Sequence, residues 1–266
     1  GNQTMGASDT TGTHNIALGY AAMDALLAGS DNVGIGRLSA SGLTSGSCNI
    51  AIGQSALAAA TTSSHNVAIG YAALTASVDD GENNVAIGRA PLSGGDVSGD
   101  NNVAIGYATM DALTTGGDNV GIGNNALGAA TNNNNNVAIG VGALATSVDD
   151  ADSNVAIGRH AMHNGDVSGD NNVAIGNVAG YAITSGGDNI SIGRAAGCTI
   201  TTQSCVINIG YNMTNTTASS TCIGGNCVMA AQFTATSDCR SKKDIKDLTY
   251  GLDFINLLRP VSYKWK

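Results

Sequence analysis

Nucleophile and base come closest together near the C-terminal end, where Ser237 is followed by Arg240, Lys242, Lys243 and Lys246. A serine hydroxyl is a weak nucleophile at neutral pH and needs a base beside it. A lysine amine can be that base when burial or a neighbouring cation lowers its pKa, and Arg240 and Lys243 are the cations at hand. Spacing alone favours a solvated basic linker. Six cysteines offer a second chemistry: Cys48, Cys198, Cys205, Cys222, Cys227 and Cys239. Their spacings fit neither a zinc nor a redox motif. Burial as small hydrophobes is the leading reading, with disulfides or metal ligation open beside it. His14 and His65 each precede an asparagine, His160 and His163 share a loop, and Asp149, Asp150 and Asp152 are clustered. No EF-hand or glycine-rich nonapeptide pattern accompanies those carboxylates, so no metal and no cofactor is expected. Asn212-Met-Thr214 and Asn215-Thr-Thr217 are glycosylation sequons, relevant on a eukaryotic secretory route.

The elements that must position these groups are set by an internal repeat. Asn-Val-Ala-Ile-Gly stands whole at 66–70, 84–88, 102–106, 136–140, 154–158 and 172–176, with close variants between. Its closing glycines fall at 19, 36, 53, 70, 88, 106, 123, 140, 158, 176, 193 and 210, always 17 or 18 apart, and a weaker copy ends at Gly224. Such a period marks a solenoid, in which units too small to fold singly share one core by stacking. Each unit reads as two short strands: Val-Ala-Ile, then an Ala-Leu or Ala-Met segment such as Tyr71-Ala-Ala-Leu74. Val and Ile, two apart, share one face, with Ala on the other. Loops such as Thr115-Gly-Gly-Asp118 supply turn residues. The motif asparagine suits a ladder of stacked amides, and the motif glycine a place where Cβ would clash or φ is positive. Cys205 and Cys222, 17 apart, would stack on neighbouring coils. With Val and Ile inside, such a coil has a thin core and leaves a face of Ala, Leu and Met to cover. Association of three chains about a common axis answers both. Twelve coils at a strand spacing of about 4.8 Å would make a rod about 55 Å long.

Composition narrows the function classes. The 266 residues contain 4% aromatic and 12% charged side chains, both low for an enzyme, and 37 glycines without a collagen period. Net charge is −9, but seven of the eleven Lys and Arg lie in 237–266, beside four acids. The remaining 236 residues hold sixteen acids and four isolated arginines, Arg37, Arg89, Arg159 and Arg194. An acidic rod without a basic track is not a nucleic-acid binder. No apolar run of about 18 residues could span a membrane, and no signal peptide is visible. The chain opens at Gly1 in mid-pattern, so upstream sequence is expected. Threonine pairs such as Thr114-Thr115 lie in variable loops and make no flat ice-binding ladder. No repeated carboxylate pair suggests an enzyme acting on an external glycan.

Asn-Val-Ala-Ile-Gly followed by Ala-Leu resembles the head repeats of bacterial trimeric autotransporter adhesins and the repeats of phage and large-virus fibres. That resemblance, over about residues 10–225, implies an all-β, left-handed parallel β-roll, homotrimeric, although adhesin repeats usually run about 14 to 15 residues, shorter than these. From about Gly197 the coils loosen into a cap, and Val228-Met-Ala-Ala-Gln-Phe233 reads as a strand leading out. The domains are then 1–225 (repeats), 226–236 (connection) and 237–266, a short α+β fragment. In this fragment Leu252, Ile255 and Leu258, with Phe254 beside them, make a helical stripe ended by Pro260, and Val261, Tyr263 and Trp265 alternate as a strand.

Ser237-Asp238, Arg240, Lys242-Lys243, Ile245, Gly251-Leu-Asp-Phe-Ile255 and Leu258-Arg-Pro-Val-Ser-Tyr-Lys-Trp265 resemble the opening of the peptidase S74 intramolecular chaperone. The resemblance implies a trimerising domain that helps the upstream shaft to fold and then cuts itself off. Ser237 would be the nucleophile and Lys242 its general base, with the cut between Thr236 and Ser237, a single turnover without external substrate. The expected protein is a homotrimeric virus or phage fibre or spike at the virion surface. Other fibre or capsid proteins and a host glycan or receptor would be its partners. The alternative is a bacterial cell-surface adhesin head.

Overall fold

The structure, a computed structural model, describes residues 4–6, 11–76, 81–147, 149–224 and 226–228. The Ser237–Lys246 stretch, the expected helix and strand of 237–266 and the stretch 229–236 lie outside these residues. So does Cys239. The unit Gly1–Met229 is compact in itself.

One short strand marks each coil: β1 (Ile16–Leu18), β2 (Val33–Ile35), β3 (Ile50–Ile52), β4 (Val67–Ile69), β5 (Val85–Arg89), β6 (Val103–Tyr107) and β7 (Val120–Ile122). β8 (Val137–Ile139), β9 (Val155–Ile157), β10 (Val173–Ile175), β11 (Ile190–Ile192), β12 (Ile207–Ile209) and β13 (Thr221–Ile223) continue the stack, and β14 (Asn226–Val228) follows. Strands β1 to β13 pair in sequence order and in parallel, aliphatic upon aliphatic as far as β12, as in Val67↔Val85 and Ile69↔Ile87. This is an all-β parallel solenoid of about twelve turns, with no helix among the described residues.

The second expected strand is absent; its place is taken by a turn. In Gln54-Ser-Ala-Leu57, Ser55 and Leu57 have φ of 58° and 53°, and the pair recurs as Ala72 and Leu74 at 54° and 50°. Left-handed backbone costs a non-glycine residue energy. Its recurrence at equivalent positions shows that the coil itself imposes it. The bent segment is held from both sides, because Ser55 donates backward to Arg37 O at 2.9 Å and Leu57 forward to Ala73 O at 2.9 Å.

The core is also the reverse of the expected one. The motif alanines (Ala68, Ala86, Ala104) and the turn's Leu or Met (Leu74, Leu92, Met110) are wholly buried, while Val and Ile are half-buried at the surface. A coil this narrow admits one large side chain opposite a methyl group, so the pleat turns Ala inward and its β-branched neighbours outward. The fit shows in two of the coils where Met replaces Leu, though beside Met162 the inward residue stays Ala174. In the coils of Met23 and Met110 the inward alanine becomes Gly34 or Gly121, at which a Cβ would come within 2.9 or 2.8 Å of the methionine Cε.

Two motif residues hold the stack. Each asparagine, buried from Asn32 onward, accepts through Oδ1 from the backbone N–H of the next ladder residue. Asn136 N lies 3.0 Å from Asn119 Oδ1, and the ladder runs from Asn15 to Asn189, whose Oδ1 takes Val206 N at 2.9 Å. Its Nδ2 commonly donates to a loop carbonyl of the next coil, 2.7 Å from Asn119 to Asn133. Each motif glycine has φ between 124° and 145°, and a Cβ there would reach 1.8 to 2.7 Å from the next glycine's carbonyl oxygen along most of the rod. Only glycine satisfies both conditions.

Coil lengths recur as 17, 17, 18 and 18, so Asp96-Val-Ser-Gly-Asp-Asn-Asn102 returns as 166–172. The added residue is absorbed at one corner. Buried Leu57 stands nine residues before the buried Asn66 in a 17-residue coil, whereas buried Leu92 stands ten before Asn102 in an 18-residue coil. Strand register is untouched. The final coil is short: Asn208 and Asn215 bridge it through two 3.2 Å bonds, and β14 then pairs antiparallel to β13.

Candidate functional site

No cleft for a small molecule opens among the described residues, so the candidate site is a surface. Three columns run along it. The first is the Val/Ile ridge, in register through β1 to β12. Ile50, Ile175 and Ile192 are more than a third exposed, as are Ile16 and Ile223 nearer the two ends. A continuous apolar strip of this length exceeds what single soluble chains usually leave uncovered.

The second column is the residue after each motif glycine. Backbone bonds align it coil by coil, as in Ala90 N to Tyr71 O and Ala108 N to Arg89 O. All four arginines expected to be isolated stand here, interleaved with Tyr20, Tyr71, Tyr107 and Tyr211. The Arg89 guanidinium lies 5.9 and 5.1 Å from the ring centres of Tyr71 and Tyr107, Arg37 lies 6.0 Å from Tyr20, and Arg194 lies 4.3 Å from Tyr211. These are cation–π distances. The arginines are exposed, and among the described residues none makes an ion pair within the chain. Sequence reading missed this seam because nothing local marks it; writing the repeats one beneath another does.

The third column spans the two positions before each motif asparagine and carries acids, Asp31, Asp118 and Asp188 directly before it and Glu82, Asp100, Asp152 and Asp170 one residue earlier. Backbone bonds link these two positions from coil to coil, as in Asp188 N to Asp170 O at 2.9 Å. Several carboxylates accept backbone N–H groups of the coil before: Asp100 from Glu82, Asp152 from Asn134 and Asp170 from Asp152. Elsewhere a serine hydroxyl does the same, as Ser47 does for Ser30. The acids therefore cap peptide groups at a corner, and no group of three His, Cys, Asp or Glu suited to a metal occurs among the described residues.

The remaining polar candidates are local. His14 lies 3.5 Å from Asp31, and His65 stands alone in the same column. His160 and His163 stack at 4.3 Å, and His163 Nδ1 donates to Gly142 O at 2.8 Å, a carbonyl being an acceptor only. Burial first, and then the charges of His163 and Arg159, push the His160 pKa down, while burial raises that of the Asp111 carboxyl. Cys48 and Cys205 are exposed free thiols and Cys198 is a half-buried one, so burial as small hydrophobes fails for the first two. Cys222 is disulfide-bonded. Cys205 does not stack on Cys222, because the short final coil puts Ser219 beneath Cys205 and Cys222 beneath Asn208.

The class defined by these features is a parallel β-solenoid with an apolar ridge flanked by a cationic aromatic seam and an acidic corner. Residues 237–266 match the peptidase S74 family, described as the chaperone of endosialidase. They contain Ser237 and Lys242, which lie outside the described residues. No curated protein and no solved structure matches the chain.

Proposed function

We propose that residues 1–225 are the shaft or head of a homotrimeric virus or phage fibre or spike, carried on the particle surface and used for host attachment. Residues 226–236 connect it to 237–266, the opening of a chaperone that assembles it. The observation that carries this reading is the peptidase S74 match just beyond the solenoid. The apolar ridge supports it, because three ridges facing one axis cover one another. The bacterial adhesin head remains the second reading; it shares the repeat but gives no reason for a peptidase S74 segment. Fibre or capsid proteins at the ends of the rod, and a host glycan or receptor along it, are the partners this role requires.

The chaperone segment acts once on its own chain in this proposal. Lys242 takes the proton from Ser237 Oγ as the oxygen attacks the carbonyl carbon of Thr236. The Thr236–Ser237 C–N bond breaks as its nitrogen takes up a proton, and water hydrolyses the resulting ester. Intact mass of the full-length gene product provides the test. Wild type is expected to yield a shaft ending at Thr236, and Ser237→Ala to stay whole. Equal full-length masses would sink autocleavage, and a non-trimeric native mass for the shaft would sink the shared axis.

A further inference from the structure

The arginine seam and the acidic corner stand at opposite ends of the same strands. In β5 the order is Glu82, the asparagines 83 and 84, the strand, then Arg89. Every coil that ends its strand in arginine starts it with an acid: Asp31 with Arg37, Glu82 with Arg89, Asp152 with Arg159 and Asp188 with Arg194. Of the eight other coils of the series, only those of Tyr107, Asn124 and Asn177 begin with an acid in these two positions, Asp100, Asp118 and Asp170. Within one chain the two ends are a strand apart. Around a cyclic axis they are not, because such contacts are head to tail and join the strand end of one protomer to the strand start of the next at the same level.

We propose that the Arg column of each protomer pairs with the acidic column of a second copy of this chain, coil for coil, and that these four rungs set the register of the trimer. The inference rests on the shared-axis reading above. Tyrosines beside Arg37, Arg89 and Arg194 hold the guanidinium groups outward, which reduces the side-chain freedom lost on pairing. The carboxylates can accept further bonds, since Asp152 uses Oδ1 for Asn134 and has lone pairs to spare. The apolar ridge cannot choose a register, because every coil offers it Val or Ile. The charges can. In register all four arginines meet an acid. A protomer displaced by one coil keeps two such pairs at one of its interfaces (Arg89 with Asp100, Arg159 with Asp170) and one at the other (Arg194 with Asp170).

Cross-linking in the full chain tests this, with Cys48, Cys198 and Cys205 changed to Ser. Glu82→Cys with Arg89→Cys cannot close within one chain, because the strand Val85–Arg89 between them alone spans roughly 13 Å and a disulfide needs less than about 7 Å. Oxidation is expected to give a covalent trimer on a non-reducing denaturing gel. The pair Asp118→Cys with Arg89→Cys, two coils out of register, is expected to run as monomer. A trimeric native mass without the 82–89 cross-link, or with the 118–89 one, overturns the register proposal and leaves the trimer standing. A monomeric native mass of the cysteine-to-serine parent overturns both. Charge exchange covers any variant that fails to fold. Arg89→Glu with Arg159→Glu is expected to raise the trimer dissociation constant at low salt by at least about tenfold, and adding Glu82→Arg and Asp152→Arg to restore it. Unchanged dissociation, or failure of the exchange to restore it, refutes the pairing.

Discussion

Removing one rung of the asparagine ladder, Asn119→Ala, measures what holds coil to coil. Asn119 Oδ1 accepts from Asn136 N at 3.0 Å and Asn136 Nδ2 at 3.2 Å, and its Nδ2 donates to Asn102 Oδ1 at 3.0 Å and Asn133 O at 2.7 Å. Alanine leaves the buried Asn136 N–H and Asn133 C=O without these partners. Each such group costs about 1–3 kcal/mol, so the two cost on the order of 2–6 kcal/mol. Asn102 Oδ1 keeps the Asn119 backbone N–H at 3.1 Å, and that side of the rung survives. In a solenoid the loss is local, shared by the coil and its neighbours. Hydrogen exchange read by mass spectrometry should therefore show peptides covering Asn136 and strands β7 and β8 exchanging at least tenfold faster, while those around β2 and β3 stay as they are. Asn124→Ala, an exposed neighbour of the same coil, should change nothing. Equal protection of Asn136 in wild type and Asn119→Ala would refute the claim that the ladder carries the stack. Val206 is an internal comparison: it stands at a ladder position above the shortened final coil and has no side-chain oxygen to offer the coil that follows.

Gly123→Ala should prevent correct stacking, because φ is 132° and its Cβ would fall 2.6 Å from Gly140 O; soluble yield and circular dichroism are the readouts. Met110→Ala, in the fully buried core, should lower stability by about 2–5 kcal/mol in chemical unfolding. Ile139→Asp, on the outward ridge, should instead reduce native mass to monomer with little change in the dichroism of the coils. The His160 pKa is lowered in the fold, so the folded chain binds fewer protons there than the unfolded one. Stability at that corner should be full above about pH 6.5 and fall as acid drives the pH through the lowered value, and His160→Ala should remove this pH dependence of local exchange.

The repeat, its strand and the amide ladder were legible because each depends on one motif and its period. Which face turned inward was not. Val and Ile outrank Ala as core formers in general, but the width of a 17-residue coil is a tertiary quantity, and it leaves room for Ala68 opposite Leu57 rather than for two branched side chains. The Met110–Gly121 exchange carries that information in the sequence and is readable only after the two are known to face each other. The same holds for the seam. Arg89 and Tyr107 are 18 residues apart and become neighbours once the register is fixed. Cys205 and Cys222 misled for the converse reason, since a spacing of 17 means adjacency only where the coil is 17 long. Ser237 and Lys242 were singled out through family likeness rather than through spacing, and they lie outside the described residues.

The direction of the ladder bonds has a mechanical consequence. In a coil stack the covalent backbone runs around the rod and the hydrogen bonds run along it, so tension between the two ends of the rod is borne by non-covalent rungs. Compression only seats the coils more firmly. Under tension, release of one coil frees 17 or 18 residues, roughly 60 Å of extended chain in exchange for about 5 Å of rod. A tether built this way is stiff against pushing and lengthens stepwise under pulling, with the asparagine rung and the buried Leu or Met of each coil setting the force of every step.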